Sequence, residues 1–133
     1  MNVPFAVAGA LALTGAAVHG LAGEKLVVTK LRNETLPSSP FGGPSATKLM
    51  IRVTWHITTI AFVVMGAALT ACAPGASSEA CRGMGRVSGL AYSGFVALTI
   101  GLTAPQGPRA LLRHPAPLLF GMVAALAWWG TAL

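Results

Sequence analysis

Residues Val53–Cys72 read VTWHITTIAFVVMGAALTAC, twenty positions without one charged side chain. A helix needs about 20 apolar residues to cross the hydrocarbon of a bilayer. The stretch lies inside a longer charge-free run that opens after Arg52 and closes at Glu79. Outward from it, three more such runs appear: everything before Glu24, Val87–Gln106 and Ala116–Leu133. Four spans are expected, at about 3–21, 49–72, 87–104 and 116–133. In lipid they must be helices, because lone strands would leave backbone N–H and C=O groups unpaired.

The expected fold class is therefore all-α: a four-transmembrane-helix bundle, up-down-up-down, forming a single integral membrane domain over residues 1–133. Proline placement agrees with the limits. Pro4 falls in a first turn, where its missing N–H costs little, and Pro74, Pro105, Pro115 and Pro117 fall at span ends. Trp55 and the pair Trp128–Trp129 lie near span ends, as in an interfacial aromatic belt. Met1-Asn2-Val3-Pro4 carries no Lys or Arg, so the first span reads as a retained helix rather than a signal peptide, whose n-region is basic.

Composition excludes the alternatives. Of 133 residues, 54% are hydrophobic and only 9% charged, where a water-soluble domain carries about 25% charged residues. Disordered chains are poor in apolar residues, so disorder is excluded too. The net charge of +6 does not point to nucleic acid, because the basic residues are spread over loops beside the membrane, where anionic headgroups attract them.

Orientation follows from the basic residues between spans. Lys25, Lys30, Arg32, Lys48 and Arg52 belong to the first link and the turn after it, and Arg109 and Arg113 to the third. Those seven lie on one side; Arg82 and Arg86 alone lie on the other. The positive-inside rule puts the 22–48 loop and the third link in the cytoplasm and both termini outside. Lys25, Lys30, Arg32, Arg109 and Arg113 are then expected at lipid headgroups. Asn33-Glu34-Thr35 matches a glycosylation acceptor but falls on the cytoplasmic side. The start of the first link, residues 23–32, reads as an interfacial helix; the Pro-, Gly- and Ser-rich stretch after Leu36 reads as a loop.

Cys72 and Cys81 share the outer link, on the oxidising side, with a Pro-Gly turn between them. A disulfide is expected, the alternative being two free thiols.

The inner end of the spans holds the residues with chemical potential. His19, near the end of the first span, and His56, one to two turns inside the second, should sit at similar depth. On the second span Arg52, His56, Thr59, Val63, Gly66 and Thr70 recur at helical spacing; on the first, Ala8, Ala12, Gly15, His19 and Gly23 form a narrow small-residue stripe. Small residues let membrane helices approach, and polar groups then bond across them. Three readings stand open. The imidazoles could bond to each other, to Thr59 or to backbone and fix packing. They could hold a b-type haem, or a metal together with Glu24. Or His19, His56 and Thr59 could contact a quinone or another small ligand. Glu24 lies five residues after His19, about 140° around an α-helix, so it shares that face only if Gly20 or Gly23 bends the chain; otherwise it is a surface charge paired with Lys25 or Arg52. His114, in Arg113-His114-Pro115, reads as a headgroup contact or helix-start residue. No Asp, phosphate-binding loop, catalytic triad or HExxH spacing occurs, so no catalytic residue is assigned.

The segments His19-Gly20-Leu21-Ala22-Gly23-Glu24, Phe41-Gly42-Gly43 and Trp55-His56-Ile57-Thr58-Thr59 resemble a family of small uncharacterised bacterial membrane proteins carrying HxxxGE and WHxTT motifs. The likeness covers roughly residues 10–66 and implies four helices in a bacterial cytoplasmic (inner) membrane, with no activity attached. It marks His19, Glu24, Trp55, His56 and Thr59. The aromatic cluster that often follows the second motif is absent, with Ala61-Phe62-Val63-Val64 in its place. Size, short links and the missing catalytic groups suggest a non-catalytic accessory or assembly subunit of a larger, energy-converting membrane complex, or a homo-oligomer. The alternative is a redox or ligand-binding module built on His19 and His56.

Overall fold

Proline, glycine and short polar side chains set where the apolar runs begin and end as helices. The computed structural model describes residues 1–75 and 77–133. Helix α1 spans Val3–Ala17, passes through a π-helical turn at Val18–Ala22 and ends as a short α2, Gly23–Leu26. After short 3-10 turns at Val28–Lys30 and Asn33–Thr35 come α3 (Pro44–Cys72), α4 (Glu79–Thr103), a 3-10 turn at Ala104–Gln106, α5 (Pro108–Arg113) and α6 (Ala116–Ala132). Among the described residues there is no strand, only an isolated bridge between Ser39 and Gly42. Three helical runs are long and apolar enough to cross a membrane: Val3–Lys30, Pro44–Cys72 and Glu79–Gln106. The fourth, Ala116–Ala132, is a shorter apolar helix of 17 residues.

Two helices start earlier than the charge gaps imply. α3 opens at Pro44 rather than near 49, because proline suits a first helical turn. α4 opens at Glu79 rather than near 87: the Ser78 hydroxyl accepts from the Cys81 N–H as an N-cap. Glu79 adds negative charge to that first turn, and Arg82 pairs with it at 2.9 Å. Charge gaps mark where lipid can lie against a helix, and a helix continues past them wherever caps allow. The 22–48 loop is likewise less irregular than expected, and the interfacial helix expected over 23–32 stops at Leu26. Gly107, at φ +94°, makes the turn into α5 in a conformation side chains disfavour.

The chain divides into two compact units, Thr14–Val63 and the two outer segments Met1–Leu13 and Val64–Leu133. In the second of these, α4 packs along α6, with the Trp128 indole lying on Gly89. Phe5 is fully buried against Gly85 and Gly130. Asn2, 7% exposed, caps α1 by accepting from the Phe5 N–H at 3.0 Å and donates to the Gly130 carbonyl at 2.8 Å. A disulfide joins Cys72 and Cys81, their Cα atoms 5.3 Å apart. Gly9 lies against Gly66 and Thr70 so closely that any Cβ there would collide; the small-residue contact on α1 thus includes Gly9 beside the anticipated Ala8 and Ala12.

Candidate functional site

The π turn is the local feature that builds the site. Its backbone N–H groups reach five residues back, as that of Gly23 does to the Val18 carbonyl, so residues five apart come onto one face. Glu24 therefore turns toward the same stretch of α3 as His19, although α-helical geometry would set them well apart. Two glycines let the chain lie close there. A Cβ on Gly20 would stand 2.7 Å from the Thr59 methyl, and one on Gly23 would run into the Trp55 indole.

His19 is held on three sides. Its Nδ1 lies 2.9 Å from the Thr59 hydroxyl oxygen, its ring stacks on Trp55 at 4.3 Å and 9°, and the Phe62 ring meets it edge-on at 5.5 Å. The Thr59 hydroxyl donates to the Trp55 carbonyl at 3.1 Å, which assigns the bridging proton to His19 Nδ1 as donor. The Trp55 Nε1–H donates to the His19 carbonyl at 2.9 Å, adding a donor to a backbone group inside the π turn. Trp55, expected from its position near a span end in an interfacial belt, is also the plate on which His19 rests.

Glu24 forms the second half. Its side chain is 16% exposed, with His56 Nε2 at 3.2 Å on one carboxylate oxygen and Arg52 at 2.7 Å from the other. The Arg52 contact is an ion pair off the direction of a well-aligned hydrogen bond. The two readings of Glu24 meet here: the π turn brings it toward the α3 stretch that His19 faces, and it pairs there with Arg52, not as an exposed surface charge but with His56 beside it. Lys48, one turn before Arg52, donates to the Leu31 carbonyl at 2.6 Å and ties the loop to α3.

The residues marked in advance thus fall into two linked pairs, His19 with Thr59 and His56 with Glu24. They do not fit a haem held between two histidines. His56 Nε2, a nitrogen the iron would use, faces Glu24, and the Gly20–Thr59 and Gly23–Trp55 contacts leave no slab of porphyrin thickness at that depth. Among the described residues, no group of three or more His, Cys, Asp or Glu stands together as a metal site; Glu24 pairs with His56, and His19 bonds to Thr59. Lys25, Lys30, Arg32, Arg109 and Arg113 are all exposed; Arg32 pairs with Glu34 at 3.4 Å. His114 accepts from the Ala116 N–H at 3.3 Å at the start of α6, the helix-start role. Asn2 and Phe62 went unmarked, although an Asn just before a helix that begins Val-Pro is a legible N-cap signal.

No protein-family model, no curated protein and no solved structure matches the chain.

Proposed function

We propose that this chain is a non-catalytic accessory or assembly subunit of a larger complex in a bacterial inner membrane. It spans the bilayer four times, with both termini outside and the 22–48 loop in the cytoplasm. The observation that carries the reading is the engagement of its reactive side chains. His19, Thr59, Glu24 and His56, the groups best able to do chemistry, are bonded across closely approaching helical segments. Polar contacts of this kind hold membrane helices together. The four spans are supported by the 17-residue α6, which rises about 25 Å, and the orientation by the basic residues on the two cytoplasmic links. The Cys72–Cys81 disulfide supports an outer position for their link, because disulfides persist in oxidising compartments.

The test is purification from native membranes in a mild detergent. The expected result is a stable assembly with defined larger chains, or several copies of this one. A chain that runs alone as a stable monomer, at 13.5 kDa plus its micelle, would overturn the proposal.

A further inference from the structure

An open groove of about 450 Å³ runs along one face of α3, lined by Leu49, Arg52, Val53, His56, Ile57 and Ile60. Its two ends differ in chemistry. Arg52 is the last charged residue before the charge-free run, so the groove begins at the polar edge of the span and continues along aliphatic side chains. The Arg52 side chain is 57% exposed and that of His56 43%, at a level where an apolar helix otherwise presents Val53, Ile57 and Ile60. Beyond its ion pair with Glu24, Arg52 gives no directed hydrogen bond to any described residue, which leaves its fork of N–H donors open. Lys48, four residues earlier on the same helix, adds positive charge. Lys48 and Arg52, two cations set against the one Glu24 carboxylate, make this end of the groove electropositive. An occupant must therefore bring an anionic oxygen group at one end and a hydrocarbon chain at the other.

We propose that this groove binds an anionic phospholipid, with the headgroup phosphate on Arg52 and one acyl chain along Val53, Ile57 and Ile60. Guanidinium matches phosphate with two parallel N–H donors. Unlike the diffuse attraction of loop lysines to a charged surface, such a site retains its lipid outside the membrane. It rests on α3 crossing the bilayer and is independent of the accessory-subunit reading.

The experiment is native mass spectrometry of the full chain from detergent micelles containing equal phosphatidylglycerol and phosphatidylcholine of identical acyl chains. Both lipids bring a phosphate, but the choline cation of phosphatidylcholine cancels its charge beside Arg52, so retention of phosphatidylglycerol should exceed that of phosphatidylcholine by about tenfold. Arg52→Gln should abolish the preference and Arg109→Gln, which removes the same charge from the exposed surface of α5, should keep it. Ile57→Trp fills the groove without changing charge and should release the lipid while helix content is unchanged. This variant decides the matter if Arg52→Gln fails to fold. Equal loss with Arg52→Gln and Arg109→Gln, or no preference in the parent chain, would overturn the proposal. Displacement by millimolar inorganic phosphate would overturn it too, by showing a free-anion site in place of a lipid site.

Discussion

Gly23→Ala is the smallest change that tests how the two helical segments are held. The added methyl would enter the Trp55 ring, with Cε2 at 2.9 Å and Nε1 at 3.0 Å. Because the indole also stacks on His19 and donates to its carbonyl, it cannot step aside without losing both contacts. Overpacking costs about 1–3 kcal/mol; the hydrogen bond and the stack are each worth about 1 kcal/mol. Alanine returns about 1 kcal/mol through its better helix propensity. The expected net loss is about 2–4 kcal/mol, on the order of a hundredfold in the folding equilibrium. Gly94→Ala is the internal control: nothing stands within 4 Å of a Cβ there, so only the propensity gain, up to about 1 kcal/mol, remains. Reversible unfolding in mixed micelles, followed by helix content, compares the two variants. Fluorescence of Trp55 in a Trp128→Phe/Trp129→Phe background follows the indole itself. Equal stability of the two variants would refute the reasoning, since it would mean that the close approach at Gly23 does not constrain the helices.

Three further outcomes are expected. Thr59→Val removes the partner of His19 Nδ1 while keeping shape, and should cost about 0.6–1.7 kcal/mol in the same unfolding assay. Asn2→Ala removes both the α1 cap and the bond to Gly130 and should cost about 2 kcal/mol. Cys72→Ser opens the loop closed by the disulfide; loss of about 3 kcal/mol is expected from chain entropy, and in the parent chain a membrane-impermeant maleimide added outside should label Cys81 only after reduction.

The apolar runs were legible because charge is so costly in hydrocarbon that its absence marks a span directly. Helix ends were less so: Ser78 and Pro44 extend α4 and α3 well past the uncharged stretches, and those extensions depend on local capping that hydropathy does not register. At the site, His56 and Thr59 stood out on the polar stripe of the second span and His19 on the small-residue stripe of the first, and all three are engaged there. Glu24 was harder to place, since a five-residue spacing belongs to another face under α-helical periodicity. Only the π turn at Val18–Ala22 brings it round, and no side-chain pattern announces an altered backbone ladder. Trp55 illustrates a different gap: an indole near a span end satisfies the aromatic-belt reading equally well whether it faces headgroups or underlies His19.

The most direct measurement of the central claim, that the histidine–carboxylate cluster ties helices together, is a double-mutant cycle of Glu24→Gln and His56→Asn in the unfolding assay. The pair, at 3.2 Å, should show a coupling energy of about 0.6–1.7 kcal/mol, the range of polar contacts between membrane helices. Strictly additive effects, with no coupling between the two positions, would contradict the account.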